Sequence, residues 1–273
     1  MLISVILSTF NWPEALDASL RGLHRQTDHA FEVIVADDGS GSATATVVEA
    51  WRARLAITHV WHEDRGFRLA EIRNRAIRAS RGDYCIFLDG DCIPRPNFIA
   101  NHRALAELGW FVAGNRVFVS RELTEEILRD KLEPGTWSFT AIASLAAQRR
   151  IARVAPMLVL PLGPLRKISG RRLTRHVRGG NLAIWRDDLA VVDGFDAVYV
   201  GWGREDNDII IRLMRSGVRH KMGRFATGVF HLWHEQSDRA HLSKNDALLD
   251  AIRSDTRIRA LQGLSALGTS QDQ

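Results

Sequence analysis

Apolar and polar positions along this chain follow two alternating rhythms. Short unbroken apolar runs at Leu2–Leu7, Phe31–Ala36, Ala56–Trp61 and Tyr84–Leu88 predict strands buried on both faces. Between them apolar residues recur at helical spacing. Pro13 suits the first turn of a helix reaching about Gln26, a second helix covers about Ala43 to Arg54, and Leu69, Ile72, Ala76 and Ile77 mark a third over Leu69–Ala79. Strands alternating with helices imply a parallel sheet with right-handed crossovers. Further on, Phe111–Val119 predicts one strand with Gly114 and Asn115 as a bulge, and Glu122–Leu132 a helix. Leu182–Trp185 predicts a strand, Asp206–Ser216 a helix and Gly228–Trp233 a last strand. From about Gly263 the chain turns small and polar, which predicts a frayed end. No internal repeat is visible.

Composition narrows this picture. A chain of 273 residues with 45% hydrophobic and 25% charged residues buries an ordinary soluble core. The net charge of +5 suits anionic small molecules or a membrane surface. Its basic residues follow no nucleic-acid motif, so no nucleic acid is expected. Two cysteines, Cys85 in a strand and Cys92 after a turn, make no disulfide framework and fit a reducing cytosol. No signal peptide or membrane span is read, which predicts a cytoplasmic or peripheral protein. One stretch departs from the average. Between Pro134 and Arg186 there are no acids and about ten Lys and Arg, around an apolar patch at Met157–Leu165. That patch suits an anionic membrane through 149–178, or a plain basic surface on a helical insertion.

The candidate chemistry sits at strand ends, where open α/β sheets bind ligands. Asp89-Gly90-Asp91 follows the Tyr84–Leu88 run; two acids this close repel, and a hard cation would relieve them. Such a cation in turn neutralises a diphosphate, which points to nucleotide-activated substrates. Ser8-Thr9-Phe10-Asn11 offers a turn with an aromatic that can stack on a base. Of Asp37-Asp38-Gly39-Ser40, one acid can accept from a base or ribose while the other caps the next helix. Either Arg68 or Arg73 can face a diphosphate, against a plain reading as charge pairs on a solvated helix. In Gly201-Trp202-Gly203-Arg204-Glu205-Asp206-Asn207-Asp208, the tryptophan offers a flat face to a sugar ring. A carboxylate beside it can take a proton from a hydroxyl, while Asp208 is the acid expected simply to favour the positive helix end. In His231-Leu232-Trp233-His234 one imidazole can complete the site begun by Asp91. The two histidines can act together only if the strand ends between them.

As an ordered set, these motifs resemble a glycosyltransferase of the GT-A fold, family two in the sequence-based classification. The half through Asp91 carries that resemblance. The region Arg178–Glu235 is similar to the acceptor side of β-1,4-galactosyltransferases and chondroitin-type polymerases. Phe10 departs from the more common tyrosine, which keeps stacking and loses a phenolic hydrogen bond. In this resemblance no counterpart is read for the segment Pro134–Arg178.

The resemblance implies an α/β, Rossmann-like, mostly parallel sheet flanked by helices, with a basic helical insertion. It implies one continuous domain: a nucleotide-sugar half at 1–120, the insertion at 121–178, an acceptor and catalytic half at 179–240, and a helix and tail at 241–273. It implies an inverting, metal-dependent transferase of polysaccharide biosynthesis. A sugar moves from a UDP-sugar to a hydroxyl of a glycan or lipid-linked saccharide, at the inner face of the membrane or in the cytoplasm. A non-catalytic nucleotide-sugar or glycan binder is the alternative. Asp206 matches the general base, and Trp202 and Glu205 the acceptor contacts. Ser8, Thr9, Phe10, Asn11, Asp38, Arg68, Arg73, Asp89 and Gly90 fall on the nucleotide side. Asp38 and Phe10 meet the uracil, and Asp89 the donor ribose or sugar. Asp91 matches the metal acid for Mn2+ or Mg2+, with His234, or alternatively His231, as the second ligand.

Overall fold

A computed structural model describes residues 1–168, 179–235 and 238–268. Seven strands form the main sheet: β1 (Ile3–Thr9), β2 (Phe31–Asp37), β3 (Ile57–Trp61), β4 (Tyr84–Asp89), β6 (Trp110–Ala113), β9 (Asn181–Trp185) and β10 (Arg219–Met222). They lie in the order β10-β6-β9-β4-β1-β2-β3, and β9 alone runs antiparallel to its neighbours. A smaller sheet packs β5 (Cys92–Pro94), β11 (Val229–His231), β7 (Arg116–Val119) and β8 (Ile151–Ala152) in the order β5-β11-β7-β8.

The period of two in the apolar runs sorts each strand's side chains between two cores. Ile6, Ile34, Ala36, Cys85 and Phe87 face one side, against the helix Leu69–Ala79 and the helix Glu205–Arg215. Ile3, Val5, Leu7, Val33, Val35, Ile86 and Leu88 face the other, against the helices Pro13–His24 and Ser42–Trp51. Each such Val, Leu, Ile or Phe side chain contributes roughly 1.5–3 kcal/mol on full burial. Both faces of the sheet are thus covered, and its carboxyl edge carries the loops described below.

Several expectations change. Phe111–Val119 is two strands in different sheets, and Gly114-Asn115 is the crossing point between them. There the Gly114 N–H donates to the Asn181 carbonyl at 2.9 Å, and a Cβ on Gly114 would stand 2.3 Å from the Asn181 amide. Sequence reading also missed β5, β10 and the helices Phe98–Leu105 and Phe139–Ala147. β10 is an edge strand whose Lys221 packs near Trp110, so it lacks an apolar run. The tail is not frayed at Gly263. Ser265 N–H and hydroxyl both donate to Asp193, and Arg78 reaches the Leu267 and Gly268 carbonyls. Within the basic insertion, Arg166 is buried and donates to the carbonyls of Leu160, Met222, Arg224 and Phe225. Residues 169–178 of that insertion lie outside the described residues. Among the described residues, no helix is long and apolar enough to cross a membrane. Both cysteines are free and buried.

Candidate active site

The carboxyl edge of β1, β2 and β4 opens into a cleft of about 540 Å³. Ser8, Thr9 and Phe10 continue β1 into its wall, and Phe10 is 47% exposed there. Asn11 does not line the cleft. It adopts φ 45°, its N–H donates to Ser40 Oγ at 2.8 Å, and its Oδ1 accepts from Gly41 N–H at 3.0 Å. It thus ties the β1 and β2 loops together.

The two acids after β2 divide their work. Asp37 is buried. Burial alone would raise its pKa, but hydrogen bonds from His59 and Ser40 outweigh that and hold the carboxyl below its usual range. Asp38 lines the cleft, with Oδ1 2.6 Å from His62 Nε2 and Oδ2 accepting the Arg68 N–H at 2.8 Å. Neither caps the next helix, whose N-cap is Gly41 without a side-chain bond. Of the two arginines, Arg68 turns its guanidinium to Glu71 and the Glu63 carbonyl, outside the cleft lining. Arg73 enters the cleft wall, fully buried, with Nη2 3.1 Å from Asp89 Oδ1 and Nε 3.2 Å from Ser8 Oγ.

The tip of β4 carries the acidic triplet. The Gly90 N–H donates to the Ser8 carbonyl at 2.7 Å, and a Cβ there would lie 2.7 Å from the same oxygen, so glycine is required. Asp91 meets both histidines, its Oδ2 lying 3.5 Å from His231 Nε2 and 3.3 Å from His234 Nε2. β11 ends at His231, which frees His234 to turn back to the same face. Burial lowers the His231 pKa and favours the neutral imidazole that a metal needs. Donor atoms of Asp91, Cys92 and His231 lie within 4.8 Å of one another. Burial drives the Cys92 thiol well above its ordinary pKa, which keeps it protonated and a poor ligand. One carboxylate and two imidazoles are a donor set that suits a divalent transition cation such as Mn2+ better than Mg2+, which prefers oxygen ligands.

Opposite this tip stands the loop Gly201–Arg204. Gly201, Gly203 and Arg204 all take positive φ, at 77°, 97° and 84°. Asn245 Nδ2 donates to the Val200 and Gly203 carbonyls, so the helix Leu242–Ser254 holds the loop from behind. Trp202 is 39% exposed and lines the cleft. Glu205 and Asp206 open the next helix, both buried and both in the cleft wall. Asp206 Oδ2 accepts the Gly179 N–H at 3.1 Å. Burial, then the neighbouring Asp206, pushes the Glu205 carboxyl up to about 7, against the opposing pull of Arg73. Asp208 is not a solvated acid at the helix end. It is fully buried, paired with Arg212 and bonded by the Tyr199 hydroxyl at 3.3 Å.

Sequence reading missed Arg116, Trp12, Phe67 and Gly179-Gly180, all of which line the cleft. Arg116 Nη1 lies 3.0 Å from Asp89 Oδ2. Its only sequence signal is a charge beside an apolar strand. A Cβ on Gly180 would stand 1.9 Å from Asp89 Oδ2, so this backbone presses directly on the acid.

Comparison with known proteins follows this geometry. The family model described as glycosyl transferase family 2 matches residues 4–162, and one described as the N-terminal domain of galactosyltransferase matches 165–236. Chondroitin synthase of Pasteurella multocida (strain Pm70) is 30% identical over 229 residues, 79% of this chain and 23% of that protein. Validoxylamine A glucosyltransferase of Streptomyces hygroscopicus subsp. jinggangensis is 28% identical over 255 residues, 89% of this chain and 58% of that protein. The chain thus spans only part of the length of these relatives. Among solved structures, Staphylococcus aureus TarS superposes with a TM-score of 0.65 at 16% identity, over 93% of this chain and 40% of that one. The Pyrobaculum calidifontis mannosyltransferase PcManGT, in complex with GDP-Man and Mn2+, gives 0.59 at 20% identity, over 92% and 64%. At these identities the structural likeness speaks to fold.

Proposed function

Because the chain belongs to glycosyl transferase family 2 and has the GT-A fold, we propose that its cleft transfers a sugar from a UDP-sugar to a saccharide or lipid-linked saccharide hydroxyl, with inversion. One observation carries this reading. Ser8, Thr9, Phe10, Asp38, Arg73, Asp89 and Gly90, Asp91 with its two histidines, and the Trp202–Asp206 segment all line a single cleft. TarS, with the same fold, has been seen with UDP and with UDP-GlcNAc.

In this reading Phe10 stacks on the base and Asp38, oriented by His62, accepts from it. Asp91 with His234, or His231, holds Mn2+ or Mg2+, which when bound neutralises the diphosphate. Trp202 offers its face to the acceptor ring, and Glu205 its carboxyl to an acceptor hydroxyl. Asp206 takes the proton as that hydroxyl oxygen attacks the anomeric carbon. The new glycosidic bond forms as the bond to the diphosphate breaks, and the leaving group departs with the electron pair. Positioned base catalysis of this kind is worth on the order of 10²- to 10⁴-fold.

The insertion is proposed to touch an anionic membrane at the inner face. Of the Met157–Leu165 patch, Met157 is buried while Val159 and Leu165 are exposed, as is Ile168; Lys167 beside it is exposed and paired with Glu107. Absence of flotation with anionic vesicles would end that part.

The test is a panel of nucleotide sugars with Mn2+, read as nucleotide release with and without saccharide acceptors. Release from a UDP-sugar is expected, with Asp91→Ala losing metal-dependent UDP affinity by calorimetry. Tight binding without any turnover would favour a binding protein on the same fold. The buried acid pair at Glu205–Asp206 speaks against that alternative, because ionised acids are costly to bury without a task.

A further inference from the structure

We propose that Arg116 is the cleft's diphosphate-binding side chain and that Asp89 acts as its positioning residue. The inference rests on the reading of the cleft as a nucleotide-sugar site.

Five acids line the cleft: Asp38, Asp89, Asp91, Glu205 and Asp206. A nucleoside diphosphate adds further negative charge, so permanent cations facing it matter. Three arginines line the same wall: Arg73, Arg116 and Arg204. Arg204 is paired to Asp246 on the neighbouring helix. Arg73 is fully buried, bonded to Ser8 and Asp89, and its Nη1 is 3.5 Å from Glu205; it is part of the wall.

Arg116 differs. Among the described residues its guanidinium makes one hydrogen bond, from Nη1 to Asp89 Oδ2, which leaves Nε–H and Nη2 uncommitted. Neither of those atoms is buried without a partner. Burial alone would lower its pKa, but Asp89 and Asp91 raise it, so it stays a cation. Its side chain leaves β7 beside β11, the strand that ends in His231, and so enters from the same side as the histidines that face Asp91.

Asp89 has a guanidinium on each oxygen, Arg73 on Oδ1 and Arg116 on Oδ2. Gly180 closes over the Arg116–Asp89 contact, since a Cβ there would also stand 2.9 Å from Arg116 Nη1. A carboxylate so engaged holds arginines in register. It orients the free edge of Arg116 toward a diphosphate.

The experiment compares UDP with UMP by calorimetry in the presence of Mn2+, for wild type, Arg116→Met, Arg116→Lys, Asp89→Asn and the Asp89→Asn/Arg116→Met double variant. Thermal unfolding checks that each is folded, and Arg116→Lys keeps the charge if Arg116→Met fails to fold. UDP affinity is expected to fall about 10- to 100-fold in Arg116→Met, and less in Arg116→Lys, while UMP affinity changes little. Asp89→Asn is expected to weaken UDP binding alone but add almost nothing to Arg116→Met. Parallel losses for UDP and UMP, or no loss for either, would overturn the role of Arg116. Additive losses would return Asp89 to direct contact with the donor. Wild type that binds neither UDP nor UMP would remove the UDP-sugar reading, and this inference with it.

Discussion

Asp206→Asn separates base chemistry from architecture. Among the described residues the carboxylate accepts one backbone hydrogen bond, from Gly179 N–H to Oδ2 at 3.1 Å. An asparagine carbonyl accepts the same bond at nearly the same place, so the segment entering β9 stays where it is. Two things change. The proton acceptor is gone, which costs about 10²- to 10⁴-fold in kcat if Asp206 is the base. The charge that helps push Glu205 up to about 7 is gone too, so the Glu205 pKa falls back toward its ordinary range. The assay is nucleotide release against acceptor concentration and pH, beside UDP calorimetry. UDP affinity should stay within about twofold and kcat should collapse, since each tenfold is 1.4 kcal/mol of barrier. A kcat within tenfold of wild type, in a folded variant, would refute the assignment and point to Glu205.

Glu205→Gln should stabilise the protein above neutral pH. With its folded pKa raised from 4.5 to about 7, Glu205 favours folding fully only below 4.5, and that contribution is lost as pH rises through 7. The variant should therefore gain on the order of 1–3 kcal/mol over wild type at pH 8 and little at pH 4.5 in urea unfolding; equal differences at both would contradict this. Gly180→Ala should cost about 1–3 kcal/mol and most of the turnover, because its Cβ would displace Asp89. Unchanged melting and turnover would show that the backbone there yields freely. Arg212→Met should destabilise by about 3–5 kcal/mol, leaving Asp208 and the Val192 and Gly194 carbonyls without their buried partner. A loss below about 1 kcal/mol would mean that water replaces it.

The sequence by itself determined β1 to β4 and β9 of the main sheet and the strand-end acids. A strand buried on both faces must be an apolar run, and the polar residues at its tip stand out against it. Hence β1, β2 and β4, the helix Leu69–Ala79, the two-aspartate turn after β2 and the triplet at Asp89 were all legible. Tertiary structure alone decided what those residues do to one another. Whether Arg68 or Arg73 enters the cleft depends on which face of the chain the Leu69–Ala79 helix turns to the sheet. That His231 and His234 meet Asp91 depends on β11 stopping after three residues. Asp208 read as an acid that simply favours the positive helix end until the fold buried it against Arg212, four residues on. Arg116 became visible only when Gly114-Asn115 carried the chain from one sheet to the other. Local pattern reports how a residue meets water. It carries no record of which distant charge will stand three ångströms away, because that is set by the register between sheets and by the loops that join them.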